Sequence, residues 1–98
     1  MMRRVEQRSK FRHDFKREGR GEYGSLLQPV TGQLWKVVAA LANNLPLPPK
    51  YRDHALHGEW EGSRDCHIKP DLVLVYTLEG DGLLILERLG SHADIFGM

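Results

Sequence analysis

Four side chains of this sequence are of the types that transfer protons near neutral pH: His54, His67, Asp71 and His92. The first three lie in the segment 53–71, which holds three of the five histidines together with three aspartates. Titratable side chains at this density are costly to bury without partners, so they favour a concave site over core packing. Because His92 lies far along the chain, a working site requires the fold to bring it back to the segment 53–71.

These residue types fit general acid–base cleavage of an RNA phosphodiester, in which the 2′-hydroxyl of the RNA is the nucleophile. Such a nuclease needs a base for the 2′-hydroxyl proton, an acid for the leaving 5′-oxygen, and cations for the phosphate. The proton transfers are assigned to His67, Asp71 and His92. Stabilisation of the charge that develops on the phosphate is assigned to His54, Arg64 and Arg88.

Two other interpretations of the same residues stay open at this point. Three histidines and one aspartate would suit zinc or iron by ligand type, although no two of these three histidines form a local His-x-x-His pair. Alternatively, the residues are surface groups and strand ends that share no site. Phe96, four residues after His92, could stack on a nucleobase or lock the tail onto the sheet.

Length and composition indicate one domain, residues 1–98, with a single modest core. The longest apolar run, Leu72 to Tyr76, is far shorter than the roughly 20 residues that span a bilayer, so we expect no membrane partner. The single cysteine, Cys66, precludes an internal disulfide and suits the reducing cytoplasm, which is the predicted location.

The charge is unevenly distributed along the chain. Residues 1–20 hold eight Lys or Arg against three acids and so carry +5, which leaves −4 for the remainder of a chain with net charge +1. A basic end on an otherwise acidic domain suggests a face that docks a polyanion. The alternative is a solvated helix with surplus charge.

Residue patterns predict the element order β-α-α-β-β-β, an α+β domain with both helices on one face of a small antiparallel sheet. The predicted strands cover residues 2–7, 63–68, 72–78 and 83–89. One helix covers residues 9–19, and a second begins between Leu26 and Thr31 and ends near Asn43. The strand 72–78 is apolar on both faces, as expected of a central strand.

The motif Asp53-His54-x-Leu56-x-Gly58-x-Trp60-x-Gly62-x-Arg64-Asp65-x-His67-Ile68-x-Pro70-Asp71 resembles the YafQ-like toxins, as do Arg88-x-Gly90-x-His92 and Phe96. These toxins are ribonucleases of type II toxin–antitoxin systems in the RelE/ParE superfamily. The likeness is specific over residues 43–96 and general before them. Leu72 departs from the family pattern, in which an aromatic residue often follows the aspartate.

The resemblance implies a RelE-like fold and an endoribonuclease that cuts mRNA on the ribosome without a metal or another cofactor. The implied partners are a cognate antitoxin, with an acidic segment, and the ribosome. The family's functional positions fall on His54, His67, Asp71, His92 and Phe96. We assign His92 as the general acid, Asp71 or His67 as the base, and His54 to orientation or charge stabilisation.

Contacts with ribosomal RNA are assigned to the basic N-terminal helix, through Lys16, Arg17 and Arg20. The alternative function is that of a ParE-like toxin of the same fold, which binds a protein target such as gyrase and has no nuclease chemistry. That branch lacks the His/Asp set of this sequence.

Overall fold

The computed structural model describes residues 2–29 and 31–97, which form a mixed α+β fold. The strands are β1 (Arg4–Gln7), β2 (His54–Ala55), β3 (Arg64–Lys69), β4 (Leu72–Glu79) and β5 (Leu83–Gly90). The helices are α1 (Ser9–Gly19), α2 (Gln33–Ala42) and α3 (His92–Phe96). Short 3₁₀ turns at Gly24–Leu27, Pro49–Tyr51 and Gly58–Trp60 link them.

The sheet has the strand order β1-β5-β4-β3-β2, and its three C-terminal strands form an antiparallel meander as predicted. The sheet is mixed, however, because β1 pairs with β5 in parallel. A parallel pair needs a long crossover connection, and here the chain leaves β1 through two helices before it reaches the opposite edge at β2. The prediction of a wholly antiparallel sheet was therefore wrong at one edge.

The main core lies between one face of the sheet and the helices α1 and α2. Phe11 of α1, Leu34 of α2 and Leu74 of β4 are all fully buried in it. A smaller apolar cluster covers the opposite face, where Val73 and Val75 of β4 pack with Ile95 of α3. Strand β4 is thus buried on both faces, as its continuous apolar run predicted.

Helix α1 has the predicted bounds, whereas α2 begins later than predicted. A 3₁₀ turn and a tight bend precede α2, and Gly32 caps its start without a side-chain hydrogen bond. A Cβ on Gly32 would lie only 2.4 Å from the carbonyl oxygen of Leu26. Because the backbones at Gly32 and Leu26 approach so closely, the helix begins only at Gln33.

Two short elements escaped the sequence patterns, the strand β2 and the C-terminal helix α3. Helix α3 is capped by Ser91, whose Oγ accepts a hydrogen bond from the backbone N–H of Asp94 at 3.1 Å. The spacing of a serine three residues before an acid was its only sequence signal. Within the described residues, no helix is long and apolar enough to cross a membrane.

Candidate active site

The candidate site lies on the sheet face opposite α1 and α2. Strand β2 contributes His54, strand β3 contributes Asp65 and His67, and helix α3 contributes His92 and Phe96. Side chains alternate between the faces of a strand, so His67 faces away from the main core while its neighbours Cys66 and Ile68 face into it. Helix α3 follows β5 directly and folds over this second face.

The structure brings together three histidines that are far apart in sequence. The ring centroids of His67 and His92 are 5.1 Å apart, and those of His54 and His67 are 6.2 Å apart. Phe96 lies on the other side of His92, with ring centroids 6.0 Å apart, and contacts Trp60 edge-on. The site therefore places several titratable rings beside an aromatic surface.

In the part of the chain that the structure describes, Asp65 is the carboxylate within ion-pair distance of two of these imidazoles, those of His54 and His67. Its Oδ1 lies 3.2 Å from Nδ1 of His54 and 3.8 Å from Nε2 of His67, and the residue is only 1% exposed. Among the described residues, this oxygen lacks a hydrogen bond of good geometry. Burial raises the pKa of the Asp65 carboxyl, and the nearby imidazoles oppose that rise.

Asp65 was absent from the predicted site, although the sequence held a signal for it. Asp65 and His67 are two residues apart on one strand, so their side chains share a face. The predicted carboxylate, Asp71, instead lies exposed in the turn between β3 and β4. In this turn, Asp71 lies close enough to Tyr23 to affect its hydroxyl. Burial raises the pKa of that hydroxyl most, and the charges of Glu22 and Asp71 raise it further.

The protonation pattern of His54 follows from its neighbours. Its Nδ1 lies 2.7 Å from the backbone carbonyl oxygen of Arg52, which can only accept a hydrogen bond, and 3.2 Å from Asp65 Oδ1, which lies within ion-pair distance of it. Nδ1 therefore carries the proton, and Nε2 is the nitrogen left for another partner. Arg52 adopts a left-handed backbone conformation, with φ of 49°, that turns its carbonyl toward His54.

His67 lies between His54 and His92, and its side chain is largely buried. Burial lowers the pKa of its imidazole, the charge of Asp65 opposes that shift, and the other two histidines and Arg52 add to it. The imidazole therefore stays neutral further into the acidic range than an exposed histidine does. A neutral imidazole at the centre of the cluster can accept a proton from a substrate.

A groove of about 690 Å³ opens beside His67 and His92. Its other lining residues are Gln33, Lys50, Tyr51, Arg52, Ile68, Lys69 and Pro70. Lys50, Arg52 and Lys69 carry positive charge and are exposed. Sequence reasoning did not single them out, because they come from the loop before β2 and the end of β3, which only the fold joins.

The predicted phosphate-binding arginines lie elsewhere. Nε of Arg64 donates to Asp53 at 3.2 Å, close to the Tyr76 hydroxyl, which also bonds to Asp53. Nε of Arg88 donates to the buried Asp14 at 2.7 Å. Both guanidinium groups thus have carboxylate partners within the fold.

The basic residues predicted to bind ribosomal RNA are all exposed on or beside α1. Lys16 and Arg17 lie in the last turn of the helix, and Arg20 follows its end. Arg17 differs from the other two because its Nη1 also donates to Asp14 at 3.0 Å.

One group of described residues could hold a metal ion. Asp65, His67 and His92 each offer a ligand atom, and these atoms lie within 4.8 Å of one another. Two imidazole nitrogens and a carboxylate oxygen form a donor set that zinc and copper accept. The set differs from the one considered from sequence, in which Asp71 supplied the carboxylate.

Comparisons with known proteins relate this chain to bacterial toxins. The curated mRNA interferase toxin YafQ of Escherichia coli K12 is 54% identical to this chain over 55 residues, which are 56% of this chain. The matched part spans 59% of that relative's own length.

Solved structures match over nearly the whole chain. A copper-bound mutant toxin from Helicobacter pylori is similar over 98% of this chain and 100% of that one, with 39% identity and a TM-score of 0.79. The toxin chain in the crystal structure of the E. coli DinJ-YafQ complex is also similar to this chain, with 38% identity and a TM-score of 0.77. The match covers 97% of this chain and 99% of the E. coli chain.

Residues 3–97 match the family model for the bacterial toxin YafQ of type II toxin–antitoxin systems. The match includes every element of the fold and all the residues of the imidazole cluster. The chain belongs to the YafQ family of bacterial type II toxins.

Proposed function

We propose that the protein is an endoribonuclease toxin that cleaves mRNA on the ribosome by general acid–base chemistry without a metal. The observation that carries the proposal is the meeting of His54, His67 and His92 at the end of a cationic groove, with Phe96 beside them. The E. coli and H. pylori relatives, an mRNA interferase and toxins by name, support the same activity class.

The proposed reaction divides two proton transfers between two imidazoles. His67 accepts the proton of the 2′-hydroxyl, and the 2′-oxygen then attacks the phosphorus atom. As the bond from phosphorus to the 5′-oxygen breaks, His92 donates a proton to that oxygen. The products are a 2′,3′-cyclic phosphate and a free 5′-hydroxyl. Geometry favours His67 over Asp71 as the base, because the His67 ring lies 5.1 Å from the His92 ring and Asp71 lies exposed in the turn between β3 and β4.

His54 and Asp65 support these transfers. The carbonyl of Arg52 holds the Nδ1 proton of His54, so Nε2 can donate to a phosphate oxygen when the ring is protonated. The Asp65 carboxylate lies 3.2 Å from the His54 ring and 3.8 Å from the His67 ring, so it can balance the positive charge of a protonated imidazole. A protonated imidazole therefore stabilises the negative charge that forms on the reacting phosphate. The buried Asp65 carboxylate balances the positive charge of that imidazole.

The groove gives a path for the RNA strand. Lys50, Arg52 and Lys69 would contact backbone phosphates on the side of His67 and His92. Phe96, half-buried against Trp60, would stack on a base next to the scissile bond. The groove can hold more than a single phosphate group, which agrees with a polymeric substrate.

The proposed partners are the ribosome, mRNA and a cognate antitoxin, in the cytoplasm. The exposed cations of α1 support contact with ribosomal RNA. The E. coli relative forms a complex with DinJ, and this supports an antitoxin partner for the present chain. An acidic antitoxin segment would complement the cationic groove.

The test uses purified protein, translating ribosomes and mRNA of defined sequence. Wild-type protein should cut the mRNA, His92→Ala should not, and His57→Ala should cut like wild type, because His57 is an exposed histidine outside the cluster. A 2′-deoxy nucleotide at the cleavage site should block the reaction, and a chelator that is selective for zinc and copper and spares the magnesium that ribosomes need should leave it unchanged.

Three outcomes would overturn the proposal. Cleavage by His92→Ala at the wild-type rate would refute the acid, and loss of cleavage in chelator would favour metal chemistry at Asp65, His67 and His92. Growth arrest in a bacterial host by wild type and His92→Ala alike, without cut mRNA, would favour the binding mode of a ParE-like toxin.

A further inference from the structure

We infer that Arg17 and the buried Asp14 of helix α1 are positioning residues for His92. Both residues lie against the edge of strand β5, and neither contacts the substrate. The inference rests on the proposed role of His92 as the general acid, and it assigns Arg17 a task other than the contact with ribosomal RNA predicted from sequence.

Among residues 2–29 and 31–97, no strand pairs with the second half of one edge of β5. The parallel partner β1 covers β5 only from Leu83 to Leu86, after which the chain turns into α1. Two side chains of α1 then replace the missing strand. The backbone N–H of Leu89 donates to Asp14 Oδ2 at 2.9 Å, and Arg17 Nη2 donates to the carbonyl oxygen of Leu89 at 3.0 Å.

Asp14 is the centre of this arrangement. It is 3% exposed and accepts hydrogen bonds from Arg88 Nε at 2.7 Å, Arg88 Nη2 at 3.2 Å and Arg17 Nη1 at 3.0 Å. A buried carboxylate of this kind persists only when it is paired, and loss of one partner leaves charge uncompensated. Charge-assisted bonds therefore fix α1 to the end of β5.

Arg17 also reaches past His92 to the start of α3. Its Nη2 lies 3.7 Å from Asp94 Oδ2, so one guanidinium contacts residues on both sides of His92. The backbone passes very close to it at Gly90, where an added Cβ would lie 2.7 Å from Nη2. The segment from Leu89 to Asp94 is thereby held at two points with the acid between them.

Such a support matters because proton transfer depends strongly on distance. A catalytic group that shifts by about 1 Å can lose about 100-fold in rate. A guanidinium anchored at Asp14 restrains the turn at Gly90 and Ser91, which sets where the His92 ring lies relative to His67. Release of Arg17 should let α3 move while the core beneath the sheet stays intact.

The main experiment compares Arg17→Gln with Lys16→Gln, a neighbouring exposed cation in the same helical turn that makes none of the contacts above. On ribosome-bound mRNA, Arg17→Gln should lower kcat about 10- to 100-fold. Lys16→Gln should instead raise KM and leave kcat close to wild type. Arg17→Lys should recover only part of kcat, because one ammonium cannot contact Asp14 and Leu89 in the same planar geometry.

A second readout needs neither ribosome nor RNA. In nuclear magnetic resonance spectra of the free protein, Arg17→Gln should weaken the ring-proton cross-peaks from His92 to His67 and to Phe96, and Lys16→Gln should leave them unchanged. Because this readout is independent of catalysis, it tests the positioning even if wild-type protein cuts no mRNA. Absence of cleavage would refute the proposed function alone.

Gly90→Ala is a variant that keeps every charge. Its methyl group would lie 2.7 Å from Arg17 Nη2, and the φ of 159° at this position also disfavours a side chain, so the variant should lower kcat and weaken the same cross-peaks. The double variant of Gly90→Ala and Arg17→Gln should have a kcat no lower than that of the more severe single variant, because both substitutions break the contact between Arg17 and Leu89. Thermal melts of each variant are the control that should show that it is folded.

Two results would overturn the inference. One is unchanged kcat and unchanged His92 cross-peaks in folded Arg17→Gln. The other is a rise in KM alone, equal to that of Lys16→Gln, which would assign Arg17 to ribosome docking.

Discussion

At the scale of single residues, Asp65 shows a conflict between stability and chemistry. Burial raises the pKa of its carboxyl, so the fold favours the protonated acid. Stability from this group is present below the ordinary pKa of 3.8 and is lost as the pH rises through the folded value. At neutral pH the ionised acid thus costs stability, and the imidazoles around it offset part of that cost.

We therefore predict that Asp65→Asn separates activity from stability. At pH 7 the melting temperature should equal or exceed that of wild type, because the buried charge is gone. The rate of mRNA cleavage should fall at least about tenfold, because the imidazoles lose the charge that stabilises their protonated forms. Asp81→Asn, at an exposed carboxyl in the turn between β4 and β5, is the matched variant. Full activity of Asp65→Asn would show that the acid is a structural residue only.

A second prediction at this scale concerns His67. Its pKa lies below the ordinary 6.5, so its contribution to stability is present above 6.5 and is lost as the pH falls through the folded value. Wild type should lose more stability than His67→Gln between pH 7.5 and pH 5, measured by thermal melts. If His67 is the base, the acid limb of kcat/KM should have its midpoint below 6.5. An equal acid sensitivity of both proteins would contradict the shift.

At the scale of elements, α1 has two faces with different tasks. Its exposed face carries cations, and its buried face presents Phe11 to the core and Asp14 to the edge of β5. A sequence pattern cannot assign Arg17 to either face, because the residue is exposed and also bonded to Asp14. The basic charge of the helix is therefore only partly free for a polyanion.

The free part of that charge can be tested with Lys16→Glu and Arg20→Glu together. Ribosome sedimentation should weaken, and the plot of log affinity against log salt should become shallower by about 1.4–1.8, the value for two lost phosphate contacts. Lys36→Glu on α2, also exposed, is the control for a change of charge alone. Unchanged sedimentation would leave this face free for another partner, such as the antitoxin.

The groove beside β3 gives a further prediction. Lys50→Ala and Lys69→Ala together should raise KM about 3- to 10-fold and leave kcat close to wild type, because exposed charges bind the ground state and the transition state alike. Lys36→Ala serves as the control. A fall in kcat with unchanged KM would mean that these lysines act on the reacting phosphate itself.

At the scale of the whole molecule, the strand order explains how a late segment completes the site. Strand β5 lies between β1 and β4, so the chain that follows it emerges within the sheet and folds α3 onto the second face. The same strand presents Leu86 to the main core. Damage to β5 thus affects both the core and the position of His92.

Leu86→Ala should destabilise the fold by about 2–5 kcal/mol, because the side chain is fully buried and its removal leaves a cavity. Urea unfolding would measure the loss. Val5→Ala on the exposed edge strand should change stability by no more than about 0.5 kcal/mol. A small effect at Leu86 would mean that the core around β5 repacks.

Much of the fold could be predicted from the sequence, because the signals are local. The alternation and length of the apolar runs predicted β3, β4 and β5 within about a residue, and the helical spacing predicted α1 and α2. The density of histidines between 53 and 71 indicated the site. Residue type alone made His92 and Phe96 candidates, and the family motif supported both, although no local pattern connects them to that segment.

Only the tertiary structure decided which side chains meet. The parallel pairing of β1 with β5, the choice of Asp65 as the carboxylate among the imidazoles and the capture of Arg88 by Asp14 depend on contacts between distant segments. Sequence periodicity determines the face of an element on which a side chain lies. Which other element covers that face follows from strand order and register, and these are set by the packing of the whole chain.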